Sequence, residues 1–471
     1  MKKTLKIALS AIVLAISSHV YADNLLDVYR LAQDSDPTFL ASEAGTRATS
    51  ERVNQSMATL LPQLSASATY RKSNSETDRS TTGIFTSLDR TEIPINNESL
   101  GTGDSTSTDY SITLTQELYN HASWLNLKQS EKRALQAKVN HEGEKQSLII
   151  RVAEAYFNVL AAEDSVAFSK AETDAVSKEL AQTKQRFDVG LIAITDVHEA
   201  QSRYDRAVAN QIIAQNALDN THESLQLISG QYHYDLLSLK KDVPLRNPNP
   251  EDIKQWAKKA ENNNINIKAS KIGLEISKQA ISISQAGHYP TLNLRAEYGD
   301  DDTTTNSQGP TFDNSGALIG SSDTTTDSGA PSSSVSLNVN IPLYSGGRTN
   351  SQVKEAQSLY LQAAHNLESS RRLAVSNTRS SYLGVIANVG SVKAFKQAVI
   401  SSEKSLEATQ AGFEVGTRTI VDVLLQTQLL FDAKRQYSRA RYDYILNTLN
   451  LKQATGLLTE DDLAQVNKLL R

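Results

Sequence analysis

The chain repeats itself, and this constrains its fold more than any motif within it. Ala41-Ser42 returns as Ala269-Ser270, and "LLPQLSASATY" (Pro62, Leu64, Tyr70) returns as "HYPTLNLRAEY" (Pro290, Leu292, Tyr298), each 228 residues on. Leu118-Tyr119 returns as Leu343-Tyr344, 225 residues on. Tyr156, Gly190, Asp196 and Gly230 return as Tyr382, Gly416, Asp422 and Gly456, each 226 residues on. Markers that keep one register over such a distance make the chain two copies of a unit of about 225 residues. The copies occupy 23–244 and 245–471, so whatever the unit folds into is built twice.

Residues 1–22 stand outside the repeat. Lys2, Lys3 and Lys6 precede a short apolar run, "IALSAIVLAIS", and Val20-Tyr21-Ala22 has the small-x-small form of a cleavage site. This reads as a secretory signal peptide, with Asp23 as the first mature residue. No later stretch approaches the twenty or so apolar residues of a membrane-spanning helix. A secreted chain with no cysteine must take its stability from packing, and it has no thiolate for metal or redox chemistry. The net charge of −5 argues against a nucleic-acid partner. With 39% hydrophobic residues and little Gly or Pro, the composition suits long exposed helices.

Within each copy the hydrophobic period changes in the same order. Residues 27–60 and 253–288 read as helices closed by Pro62 and Pro290. Strict alternation follows: Leu64, Ala66, Ala68 and Tyr70 in one copy, and Leu292, Leu294, Ala296 and Tyr298 in the other. The alternation predicts strands over 62–72 and 290–299, with partners over 108–119 and 333–343. Between partners lie Ser-, Thr- and Asp-rich tracts, opening with "SNSETDRSTTG" and "GDDDTTTNSQG", which read as long solvated loops. Long helices then run over 121–188 and 347–414, each about 100 Å if unbroken. Turns follow at 189–196 and 415–421, and return helices at 197–229 and 422–455 with a seven-residue repeat and an Ala seam suited to coiled-coil packing. Residues 456–471 close the chain.

Strands of about ten residues with one apolar face are long enough to cross a bilayer when tilted. Four strands do not close, and lipid does not tolerate open sheet edges. A closed barrel needs at least about eight strands, so several chains must contribute. Three chains, giving twelve strands, are the economical solution, with two or four also compatible. The fold class is a mixed α/β membrane protein, with four barrel strands and long coiled-coil helices in each chain. Tyr70, Tyr119, Tyr298 and Tyr344 stand near strand ends, where interfacial aromatics belong.

Nothing points to catalysis, so the chain reads as a non-enzyme without cofactors. There is no phosphate loop, nucleophile elbow or zinc motif, and "HEGEK" at His141 reads as a solvated helix face. The informative stretches are "VGLIAITDV" (189–197) and "VGTRTIVDV" (415–423). Gly190 and Gly416 read as helix C-caps that need φ > 0. Thr419 and Asp422 have capping-box spacing, and copies of Asp422 around an axis would draw cations.

These segments, with "LLPQL", "AYFNVL", "NSQVKEAQ" and "ARYDYILNTLNLKQATG", resemble the TolC family of outer-membrane efflux proteins of Gram-negative bacteria along the whole mature chain. The resemblance implies a homotrimer with a twelve-stranded β-barrel in outer-membrane lipid and, continuous with it, a long α-helical coiled-coil barrel that forms a tunnel in the periplasm. It also implies docking to a periplasmic adaptor and to an inner-membrane pump of the RND, ABC or MFS type, and export of drugs and secreted proteins. It implies that the hairpin bearing the second turn closes the tunnel through Thr195, Asp196 and Arg418. The family's inter-hairpin tyrosine falls on Phe413, which has no hydroxyl. Of the family's two pore-facing acids, the first falls on Asp422 and the second on Leu425, leaving one acidic ring. An Arg418–Asp196 latch follows as an expectation, since arginine makes directional paired bonds to carboxylates. Two other readings remain: a periplasmic coiled-coil scaffold without a pore, and a constitutively open diffusion porin.

Overall fold

Two long segments that contain neither proline nor a turn signal dominate the chain as helices. The computed structural model describes residues 23–86, 89, 91–312 and 318–471; the signal-peptide segment 1–22 lies outside them. In chain order these residues form α1 (Leu25–Ser35), α2 (Pro37–Ala58), β1 (Gln63–Thr86), β2 (Glu92–Tyr119), α3 (His121–Asp188), α4 (Ile194–Ser229), α5 (Ile253–Asn263) and α6 (Ile265–Gln285). After a short 3-10 turn at Ala286–His288 come β3 (Thr291–Phe312), β4 (Leu318–Asn340), α7 (Arg348–Glu414), α8 (Ile420–Ala454) and α9 (Glu460–Asn467). Helices α3 and α7 have 68 and 67 residues, contain no proline, and at 1.5 Å per residue run about 100 Å each.

The helix expected over 27–60 is two helices. Pro37 pushes Asp36 out of helical geometry into an extended conformation, and the Asp36 carboxylate then caps α2 by accepting from the Phe39 N–H at 2.7 Å. The helix expected over 253–288 is likewise broken, at Asn264, whose Oδ1 accepts from the Ile267 N–H at 3.2 Å. Asn264 Nδ2 donates to the Ala454 carbonyl at 2.8 Å, so the start of α6 meets the end of α8. The C-terminal segment contains a helix, α9, begun by a capping box between Thr459 and Asp462.

By backbone contacts the chain divides into two units. One comprises the described residues up to Arg47, with Gln136–Ile272 and Ala364–Arg471; the other comprises Ala48–Leu135 and Gly273–Ala363. The first unit holds the apolar core. Tyr156 and Phe157 of α3 pack edge to face with centroids 5.7 Å apart, both fully buried, among Val28 and Tyr29 of α1 and Ile445 and Leu449 of α8. The Tyr156 hydroxyl donates to the Leu237 carbonyl at 2.8 Å, which ties the segment after α4 to this core.

The second unit holds one antiparallel sheet in the order β1-β2-β3-β4. Its hairpins are longer than the alternation predicts. The tracts read as solvated loops, from Ser73 and from Gly299, are paired strand: Ser73 faces Ser105, and Gly299 faces Ser332 on one side and Ser111 on the other. The ladder uses backbone groups, and Ser and Thr accommodate extended backbone without an apolar partner. Polar side chains on both faces erase the period-2 signal while leaving the pairing intact.

Register places the apolar residues on one face. Leu64 is opposite Leu114, Leu114 opposite Ala296, and Ala296 opposite Val335; one step along, Ala66, Ile112 and Tyr298 are in line. The other face of the same rows carries Ser65, Thr113, Glu297 and Ser334. The apolar band is uncovered within the chain, with Val335 78% and Leu337 60% exposed. Among the described residues no helix is long and apolar enough to cross a membrane.

Candidate functional site: the two helix–helix turns

Both long helices end in the same way. At the first turn the Gly190 N–H donates to the Phe187 carbonyl at 2.8 Å and the Leu191 N–H to the Arg186 carbonyl at 2.9 Å. At the second, the Gly416 N–H donates to Phe413 at 3.1 Å and the Thr417 N–H to Gly412 at 2.8 Å. This paired closure requires a left-handed residue at its centre, and Gly190 and Gly416 supply it with φ of 75° and 80°.

The turns then diverge. Thr419 caps α8: its hydroxyl accepts from the Asp422 N–H at 3.3 Å, and Asp422 Oδ2 accepts from the Thr419 N–H at 3.0 Å and its hydroxyl at 2.9 Å. These bonds, with the field of Arg418, hold the Asp422 carboxyl below the ordinary aspartate range. Ala193 occupies the matching position before α4 and has no side-chain acceptor. Asp196 therefore forms no side-chain hydrogen bond or ion pair within the chain, among the described residues, and neither does exposed Thr195. Arg418 is also exposed and forms no ion pair among the described residues; its Cγ lies over Gly412, where a Cβ would approach it to 2.8 Å. The chain does not bring Asp196 and Arg418 together. Leu425, one turn along α8 from Asp422, is 44% exposed.

Phe413 is buried, at 7% exposure, in a small core with Val176 and Leu180 of α3, Ala200 of α4, and Ile420 and Leu424 of α8. Its contact across the hairpins is made through its ring and carbonyl. The Arg186 guanidinium lies 4.2 Å above the ring centroid, and its Nη1 donates to the Phe413 carbonyl at 3.5 Å. Arg186 was not singled out from the sequence, because a charged residue near a helix end ordinarily faces solvent. Further along α3, Gln410 Nε2 donates to Glu179 Oε1 at 3.4 Å, and Arg435 pairs with Glu172 at 3.0 Å. No group of His, Asp or Glu among the described residues is placed to hold a metal ion.

The profile of the family described as "Outer membrane efflux protein" matches residues 28–231 and 256–457. The chain is 37% identical over 471 residues to outer membrane protein TolC of Vibrio cholerae, covering 99% of this chain and 98% of that one. It is 37% identical over 470 residues to outer membrane protein TolC of Escherichia coli K12, covering 100% and 90%. A protease secretion protein, PrtF of Dickeya chrysanthemi, is 26% identical, covering 98% and 94%. In fold, a membrane protein from Pseudomonas aeruginosa superposes with a TM-score of 0.72 at 16% identity, covering 93% of this chain and 92% of that one. Two matching helix turns, an amphipathic four-strand sheet and these similarities make the chain a member of the outer membrane efflux protein family.

Proposed function

We propose that the chain is the outer-membrane exit duct of drug-efflux and type I secretion assemblies, and that it works as a homotrimer. The observation that carries this reading is the sheet: four strands, an apolar band along one face, and unpaired edges at β1 and β4. Such a sheet is stable in lipid only when its edges are paired by other copies, and three copies give a twelve-stranded barrel. Tyr70, Tyr110 and Tyr298 mark one border of the band, as aromatic girdles do in outer-membrane barrels. The matching element order of the two halves supports a duplicated unit.

In this reading the turns form the periplasmic end of the duct, where an adaptor and an RND, ABC or MFS pump dock. Asp196 and Thr195 on one turn and Arg418 on the other form no side-chain hydrogen bond or ion pair among the described residues, so they are available to a neighbouring copy. Each such exposed pair contributes only about 0.2–1 kcal/mol. Repeated by symmetry, the pairs hold a closed state weak enough for a docking partner to open. Asp422 gives the pore a ring of ionised carboxylates that attracts cations.

Single-channel conductance in planar bilayers tests the reading. Wild type is expected to conduct poorly and Arg418→Ser several-fold better. High conductance in both would indicate a permanently open porin. No conductance, with solubility in the absence of detergent, would indicate a scaffold without a pore.

A further inference from the structure

Four residues of α3 share one heptad position and reach the second hairpin: Asn158, Glu172, Glu179 and Arg186. The first two bond to α8. Arg439 Nη1 donates to Asn158 Oδ1 at 2.8 Å, and Arg435 Nη1 to Glu172 at 3.0 Å. The last two bond to α7, through Gln410 and Phe413. Along a single stripe, α3 therefore changes partner helix as it nears its turn. The rungs also differ in strength. Glu172 is 8% exposed, and separating a nearly buried ion pair leaves an uncompensated charge. The polar rungs nearer the turn are a long neutral–acid bond and a cation–π contact, each cheaper to open than a buried ion pair. Beside them the small core of Phe413, Ile420 and Leu424 with Val176 and Leu180 joins α3 to the second hairpin.

We propose that Arg186 is a positioning residue that clasps the turn end of α7 to α3, and that the second hairpin detaches from α3 only on the turn side of the Glu172–Arg435 rung. Phe413 offers the clasp a fixed platform, because its ring is packed between Val176 and Leu180 of α3 and Ile420 and Leu424 of α8. Glu179 reinforces it through its bond to Gln410, although burial raises the Glu179 carboxyl above the ordinary glutamate range. The proposal rests on the gated-duct reading for its consequence, but the clasp itself is measurable without transport.

The chain contains no cysteine, so introduced cysteines carry spin labels without background. In the full-length protein, Gln182→Cys with Ala408→Cys reports the rungs near the turn, and Lys170→Cys with Gln436→Cys reports the pivot. Arg186→Gln should enlarge the long-distance population at 182–408 about fivefold, in keeping with the loss of one cation–π contact, and leave 170–436 unchanged. Phe413→Leu, which keeps the apolar volume, should do the same, and Arg186→Lys should recover part of the effect. An unchanged 182–408 distance in both Arg186→Gln and Phe413→Leu overturns the clasp, as does equal lengthening at 170–436. A longer 182–408 distance with unaltered conductance keeps the clasp and refutes the gated duct. Raised conductance with an unaltered distance does the reverse.

Discussion

Asp196 and Asp422 occupy matching places, yet only Asp422 is committed within its own chain. The difference lies three residues earlier, where Thr419 closes a capping box and Ala193 cannot. Glycines show a similar contrast. Gly416 and Gly456 both have positive φ, but a Cβ at 416 would meet nothing within 4 Å, whereas at 456 it would strike the Asn263 carbonyl, with its carbon 2.7 Å away. Gly416→Ala should therefore cost only the left-handed penalty, about 1 kcal/mol. Gly456→Ala should add overpacking for about 3 kcal/mol in all, and thermal unfolding of the two variants should rank them in that order.

Glu163 on α3 supplies a pH dependence. Burial, with the negative charges of Asp164 and Asp235, pushes its carboxyl from 4.5 up to about 7. The folded state thus holds this proton more tightly than the unfolded chain does. Its stabilising effect is full below about pH 4.5 and is lost as the pH rises through about 7. Glu163→Gln should melt above wild type at about pH 8 and converge with it near pH 5. An unchanged difference across that range would exclude Glu163 as the source. Among the residues of the candidate site, Gly190 and Gly416 were legible in the sequence, because a left-handed turn between long helices needs glycine. Arg186 was not, because its partner lies 227 residues away and only packing brings it close.

At the scale of elements, the proline-free helices and the alternating parts of the strands could be read directly. The polar extensions of the hairpins could not, since a ladder with hydrophilic residues on both faces carries no hydrophobic period. The helix break at Asp36 had a signal in Pro37, while that at Asn264 had none so plain. The two sheet faces make a paired prediction. Leu337 faces the apolar band and Ser336 the opposite side. Leu337→Arg should lose about 2–4 kcal/mol of membrane stability, whereas Ser336→Arg should be nearly silent. The amount of heat-resistant assembly recovered in the outer-membrane fraction separates them, and equal loss in both would contradict a lipid-facing band.

At the scale of the molecule, strand order is what the proposed assembly rests on. Pairing of β2 with β3, from Thr102↔Gln308 to Tyr119↔Leu292, joins the hairpins of the two halves and, among the described residues, leaves β1 and β4 as the edges. If neighbouring copies pair β1 with β4, then Ser67→Cys combined in turn with Ser332→Cys, Ser334→Cys and Ser336→Cys should give one register that oxidises efficiently. Denaturing gels should then show a ladder that stops at three chains. A ladder stopping at two or four would revise the stoichiometry.

The two edges are unlike, since β1 and β4 come from different halves of the chain. If copies pair these edges, as proposed above, association is head to tail and a ring is the only closed product. A copy whose β4 cannot pair still offers a normal β1, so it can join a growing assembly and prevent its completion. Defects at the edge strands should for this reason be dominant over wild type when co-expressed, whereas defects confined to the turns should leave assembly intact.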